Sequence, residues 1–398
     1  MKKMKKALAL ILAVSMIVVS LTACGTKEPA SNGDSKNTDN SAKKDTFVIG
    51  GIGPVTGDAA VYGQSVKNGA ELARNEINAA GGINGKKIDF KFADDEADQE
   101  KAVNAYNSLK DQGMQILMGT VTSGACAAVI EKTNADKMFQ LTPSGSSASL
   151  LKYDNFFQVC FTDPNQGIAS AQYIGKNNVA KKIAVIYDSS DIYSSGIYEK
   201  FAEEAKKQNL EIVAAEAFTS ESKSDFSVQI QKAKDSGAEL VFLPIYYKEA
   251  ALILKQASNF DYKPTFFGCD GLDGILTVKG FDKALAEGLM LLTPFAADAT
   301  DDMTKKFVTS YKAAYTDTPN QFAADAYDAI YIIKAAIEKS GAKPDMSVAD
   351  LGNALKAAMP QISVDGLTGA DMTWSAKGEV NKAPRAIVIK NGAYVSAN

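Results

Sequence analysis

The order of elements along the chain is what constrains it most. From residue 46 onward, short apolar runs alternate with longer amphipathic stretches across short connections. Runs at 47–52, 88–92, 114–118, 138–141 and 156–161 read as buried strands, and 59–78, 99–112 and 126–134 read as helices. The alternation then restarts. Strands are expected at 182–187, 211–218, 240–244 and 265–268, with helices at 166–175, 194–208, 225–235 and 248–257. Strand and helix in strict alternation give a parallel sheet covered by helices on both faces, so the expectation is α/β: two doubly wound parallel-sheet units. A further apolar run at 288–292 is followed by helices at 303–315, 322–339 and 348–358 and by a last strand at 386–389. The 322–339 helix carries Phe322, Ala326, Ile330, Ile333 and Ile337 on one stripe, with Asp325 and Asp328 outside it.

Such sheets bind ligands beyond the carboxyl ends of their strands. Two turns in the first unit stand there. Gly119-Thr120-Val121-Thr122-Ser123-Gly124 follows the 114–118 run, and Thr142-Pro143-Ser144-Gly145-Ser146-Ser147 follows the 138–141 run. Both are rich in hydroxyls and small residues, and the first leads into a helix. A helix start offers unpaired N–H groups and the positive end of the helix dipole, which suits a small carboxylate. Either turn alone equally fits an ordinary N-cap, where Ser and Thr are favoured anyway.

Composition closes off several chemistries. Among 398 residues there is no histidine, which excludes Ser-His-Asp and Cys-His catalysis and histidine metal sites. The four cysteines, Cys24, Cys126, Cys160 and Cys269, lack the spacing of a zinc or dithiol motif. No catalytic residue, metal or cofactor is therefore expected. A net charge of −4 gives no reason to expect nucleic acid. The turn after the first strand looks briefly like a dinucleotide fingerprint, but the position that needs the third glycine is Thr56, and Pro54 lacks an N–H.

The N-terminus reads as an export signal over 1–23. Lys2, Lys3, Lys5 and Lys6 are the charged start, and an apolar stretch follows that is short for a membrane span. Leu21-Thr22-Ala23-Cys24-Gly25 resembles the bacterial lipobox, which implies that Cys24 is lipidated and anchors the chain to the membrane surface. Residues 24–45 are polar and without apolar periodicity, as expected of a flexible tether.

Taken together, the motifs resemble the solute-binding proteins of branched-chain amino acid ABC transporters. The residues that carry the resemblance are Gly53-Pro54 with Gly57 and Tyr62-Gly63; the stretch from Ile77 to Gly85; Gly119 to Ser123; Thr142-Pro143; and Leu367-Thr368-Gly369 with Trp374 and Gly378. The resemblance implies a type I periplasmic-binding fold of two lobes joined by three hinge strands. Residues 46–163 with 295–375 would form lobe I, and 164–294 with 376–398 lobe II, with crossings near Asp163-Pro164, Thr293-Pro294 and Trp374-Ser375.

Its implied ligand is an amino acid, by family default leucine, isoleucine or valine. Ser123 and Ser146 would take the carboxylate, the Ser144 carbonyl and the Asp270 carboxylate the ammonium. Tyr62, Tyr193 and Tyr246 would surround the side chain. The physics is consistent, since a zwitterion needs donors at one end and acceptors at the other. Asp270 also fits a plain helix cap. The implied partner is an ABC permease, reached by a monomer anchored outside the cytoplasm. A lipoprotein sensor of the same fold, for another amino acid, amide or aromatic acid, is the alternative. A hydrolase without histidine would need Asp, Glu or Lys as its base.

Overall fold

The computed structural model describes residues 45–397. The expected export signal and Cys24 lie outside them. The first run of elements is β1 (Thr46–Gly53), α1 (Ala60–Ala79), β2 (Lys87–Asp94), α2 (Gln99–Asp111), β3 (Ile116–Gly119), α3 (Ser123–Asp136), β4 (Phe139–Thr142) and β5 (Phe156–Gln158). The second is α4 (Asp163–Lys176), β6 (Lys182–Asp188), α5 (Ile192–Lys207), β7 (Glu211–Phe218), α6 (Ser227–Asp235), β8 (Leu240–Leu243), α7 (Tyr247–Asn259), β9 (Thr265–Gly268) and β10 (Met290–Thr293). Helices α8 (Asp302–Tyr315), α9 (Gln321–Ser340) and α10 (Val348–Ala358) follow, then β11 (Arg385–Lys390) and β12 (Ala393–Ser396).

The strands form two sheets. One has the order β2-β1-β3-β4-β5 and is parallel throughout. The other has the order β12-β11-β10-β9-β8-β6-β7. Its β7 to β10 part is parallel, but β11 runs antiparallel to β10 and β12 antiparallel to β11. The sequence reading missed β12, because a short half-exposed edge strand has no apolar run to announce it.

The inner strands of each sheet are buried on both faces. In the first, Ile52 and Leu117 pack against Tyr106 and Leu109 of α2 and Val129 of α3. On its other face Ile49, Ile116 and Met118 meet Val66, Ala70 and Ile77 of α1 with Ile330 and Ile333 of α9. In the second, Ile183, Val185, Phe242 and Phe267 pack against Ile174, Ile197 and Phe201 of α4 and α5. Helices α1 and α9 cross at contact distance: a Cβ on Gly69 would stand 2.0 Å from the Ala323 carbonyl oxygen. Gly69→Ala should therefore lower stability by on the order of 1–2 kcal/mol, overpacking outweighing the gain in helix propensity. Gly124→Ala, where a Cβ meets only the Gln99 amide at 3.7 Å, is the control and should not destabilise. Urea unfolding of both variants checks the comparison.

Asp325 and Asp328, expected on the outer face of α9, are both buried. The segment that follows α10 covers that face. Asp328 accepts from the Leu367 and Thr368 N–H groups at 2.9 Å each and from the Thr368 hydroxyl at 2.6 Å. Asp325 pairs with Lys382 at 2.9 Å. The Leu367-Thr368-Gly369 motif is thus a loop fastened to a buried carboxylate. Gly378, at φ 89°, lies against β5, where its carbonyl accepts from the Gln158 N–H at 3.0 Å. Among the described residues no helix is long and apolar enough to cross a membrane.

Candidate functional site

The carboxyl ends of β1, β3 and β4 lead into the turns at Gly53-Pro54, Thr120 and Pro143. Those of β6, β8 and β9 lead to Asp191, Tyr246 and Asp270. The two sets meet around one small cavity lined by Tyr62, Val121, Thr122, Ser123, Ser144, Tyr193, Tyr246, Asp270, Gly271 and Phe322. Six of the seven ligand residues expected from the sequence are therefore brought together, from six different segments of the chain. The seventh, Ser146, lies just behind Ser123.

The two donor turns are tied to each other. α3 begins at Ser123, earlier than expected, and the Ser123 hydroxyl oxygen accepts from the backbone N–H groups of Ser146 at 3.1 Å and Ser147 at 3.2 Å. With both acceptor positions used, its own proton is the one left to give. The second turn differs from the first: only a single turn of 3₁₀ helix, Ala148–Leu150, follows it, so it has N–H donors but no α-helix dipole behind them. The Ser144 hydroxyl donates to the Val121 carbonyl at 2.8 Å, which fixes the turn. The hydroxyls of Thr122 and Ser146 are buried without a hydrogen-bond partner.

A chain of hydrogen bonds crosses the cavity. The Tyr247 N–H donates to the Tyr62 hydroxyl at 3.2 Å, and that hydroxyl donates to the Gly271 carbonyl at 2.5 Å. The Gly271 N–H donates to the Tyr193 hydroxyl at 3.0 Å, which donates to Asp270 Oδ1 at 2.7 Å. The rings pack as a cluster. Tyr193 stacks on Tyr246 with centroids 5.2 Å apart, Tyr246 meets the edge of Tyr62, and Tyr62 lies 4.3 Å from Phe322. Phe322 was assigned to a helical core stripe, because periodicity cannot tell a cavity wall from a packed core.

Asp270 is buried at the start of a 3₁₀ turn, and its side chain caps no α-helix. Burial pushes its carboxyl up to about 6, against the opposing pull of the Tyr193 hydroxyl. Asp191 is likewise pushed up to about 6 by burial. The thiols of Cys126, Cys160 and Cys269 are buried and in no disulfide among the described residues, and burial raises all three.

The cavity has a volume of about 20 Å³, space for about one water-sized occupant. Thr122 and Tyr246 separate it from an outer cleft of about 680 Å³ whose rim carries Asp58, Glu96, Asp98, Asp188, Asp191 and Glu249 with Lys223. Asp58 is held there by Lys223 at 2.9 Å and by Lys248. Among the described residues no group of His, Cys, Asp and Glu is arranged to hold a metal.

Residues 46–393 match the family described as periplasmic binding protein. The chain is 32% identical over 303 residues to the Leu/Ile/Val-binding protein homolog 3 of Brucella melitensis, covering 75% of this chain and 80% of that protein. It is 28% identical over 308 residues to the leucine-, isoleucine-, valine-, threonine- and alanine-binding protein of Pseudomonas aeruginosa, covering 77% and 82%. In three dimensions it superposes on the branched-chain amino acid transporter substrate binding protein LivJ of Streptococcus pneumoniae, solved in complex with isoleucine. That match has a TM-score of 0.81 at 29% identity and covers 89% of this chain and 99% of that one.

Proposed function

The chain belongs to the periplasmic binding protein family, and on that premise we propose that it captures a branched-chain amino acid between two closing lobes and delivers it to an ABC permease. The observation that carries this is the pairing of opposite chemistries across one cavity. Ser123 faces it with a hydroxyl whose acceptor positions are filled, and Asp270 faces it with a buried carboxylate. A zwitterion spans that pair. The aromatic walls supplied by Tyr62, Tyr193, Tyr246 and Phe322 match an apolar side chain between the two charged ends. Names of relatives that bind leucine, isoleucine and valine support the same ligand class.

Lobe I is residues 46–163 with the segment from 295, and lobe II is residues 164–294 with the C-terminal hairpin. We draw the last crossing after Lys382 rather than at Trp374-Ser375. In support, Gly378 is still bonded to β5 and Lys382 to α9. A ligand larger than one water enters only when the lobes part and the Tyr62–Gly271 bond opens. Ligand groups shared by both lobes then favour closure by population shift. The anchor is a lipidated Cys24, which holds a monomer outside the cytoplasm.

Calorimetry and thermal melting with leucine, isoleucine and valine test the reading. Binding with a rise in melting temperature is expected, corresponding to ~2.7 kcal/mol at a hundred times the dissociation constant. Small-angle scattering should show a smaller radius of gyration with ligand than without. No stabilisation by any of the three amino acids would overturn the proposal.

A further inference from the structure

The turn between β1 and α1 belongs to lobe I, and lobe II grips it from several sides. The Asp58 carboxylate takes an ammonium on each oxygen. Lys223, in the loop between β7 and α6, reaches Oδ2 at 2.9 Å, and Lys248, in the first turn of α7, pairs with Oδ1. These bonds, that of Lys248 first, hold the Asp58 carboxyl below the usual carboxylate range. The backbone of the turn is held as well. The Asp58 carbonyl accepts from the Tyr247 hydroxyl at 2.8 Å, and that hydroxyl accepts from the Val61 N–H at 3.4 Å. Gly274, in the segment after β9, lies against Val61, where a Cβ would stand 2.9 Å from a Val61 methyl.

The cations are held in place from within lobe II. Lys223 also pairs with Glu249 at 3.3 Å, and Glu249 is buried. Tyr247, Lys248 and Glu249 are consecutive at the start of α7, and the Tyr247 N–H donates to the Tyr62 hydroxyl at 3.2 Å. One helix start therefore holds the mouth of the cleft, at Asp58, and the wall of the cavity, at Tyr62. Among the described residues, the ion pairs that join lobe I to lobe II are the two on Asp58. Lys356 and Asp154, by contrast, pair at 2.9 Å within lobe I. Exposed ion pairs contribute little singly, but networks contribute more, and two cations here share one carboxylate.

We propose that Asp58, Lys223 and Lys248 form an ion-pair latch across the mouth of the cleft, which slows the parting of the lobes and so lengthens the residence of bound ligand. This rests on the two-lobe reading above and adds a determinant that lies outside the ligand's own contacts. A ligand enclosed by both lobes leaves only after they part. The latch therefore acts on the dissociation rate, whichever conformation dominates without ligand and whatever the ligand's side chain. It faces water, so salt loosens it.

The test follows the loss of radiolabelled leucine chased with excess unlabelled leucine. Asp58→Asn should speed dissociation roughly threefold or more, and Asp58→Lys, which brings three ammoniums together, should speed it further. The Asp58 side chain is 51% exposed in a turn, so both variants should fold with wild-type melting temperatures. Asp154→Asn is the control. It removes an ion pair of similar length that does not cross the cleft, and dissociation should match wild type. Unchanged dissociation in both Asp58 variants, or equal acceleration in the control, would overturn the latch and leave the amino acid reading standing.

A second measurement needs no variant. Raising salt from about 0.05 M to about 0.5 M should speed leucine dissociation from wild type, because exposed charges are screened over that range. The acceleration should shrink in Asp58→Asn. Dissociation from wild type that ignores salt removes the latch. Failure of wild type to bind leucine, isoleucine or valine sinks the amino acid reading, and the latch with it.

Discussion

Asp270→Asn should weaken leucine binding by roughly 30-fold or more, while the empty protein keeps its melting temperature. The carboxylate is buried, and Tyr193 is the side chain that donates to it, at 2.7 Å. An asparagine of the same shape keeps an oxygen for Tyr193 but turns an N–H₂ toward the ammonium. Removing one partner of a desolvated charge pair typically costs on the order of 2–5 kcal/mol, and each ~1.4 kcal/mol is a factor of ten. The folded state of the empty protein loses little, because burial already holds Asp270 up to about 6 rather than rewarding its charge. The sign follows from that direction. Wild-type affinity should drop as pH falls through about 6 and the carboxyl protonates, and the variant should lose this part of the pH dependence. Calorimetric titration between pH 5 and 8, beside melting curves of the empty proteins, measures both. Wild-type affinity in Asp270→Asn would remove Asp270 from the site.

The largest effect on stability should come from Lys382→Ala. The Lys382 and Asp325 side chains are 1% and 3% exposed, and the ammonium also donates to the Thr368 hydroxyl. Removing the cation strands a buried carboxylate, and breaking such a pair typically costs ~3–5 kcal/mol. The cost should depend on pH in a defined direction. Burial raises the Asp325 carboxyl even while Lys382 pulls it down, so without Lys382 it rises further. A carboxyl raised in the folded state contributes stability that is lost as pH rises, so the variant should suffer more at pH 8 than at pH 5. Replacing both partners by apolar residues, Lys382→Met with Asp325→Leu, should recover most of the loss, since such pairs are poor net stabilisers. Urea unfolding at the two pH values decides it. A loss below ~1 kcal/mol at pH 8 would mean that the pair contributes little.

The alternation of apolar runs and amphipathic stretches was enough to read the inner parallel strands of both sheets, because a strand buried on both faces has to be apolar from end to end. Ser123, Ser144, Tyr62, Tyr193, Tyr246 and Asp270 were legible because each follows a strand at the edge where ligands collect, or matches a family motif. What stayed hidden depends on direction rather than on order. Phe322 has the spacing of a core residue and points into the cavity. Asp325 and Asp328 fell outside the apolar stripe of α9, and the segment that covers them is far along the chain. The hydroxyl-rich turn after β4 also fitted a helix cap, because the same residues serve both purposes, and only a 3₁₀ turn follows it.

One buried side chain makes the protein its own optical instrument. Trp374 is the single tryptophan in the chain. Its indole N–H donates to the Gln158 carbonyl at 2.8 Å, and the side chain is 4% exposed. It joins the segment that carries Gly378 to the last strand of the first sheet. Indole emission from the folded protein therefore originates at one dry, hydrogen-bonded position rather than averaging over several. Its colour reports unfolding, when water reaches the ring, and its intensity reports any shift of the 374–378 segment relative to β5. Unfolding and motion of that segment are thus read in one emission band, without a dye.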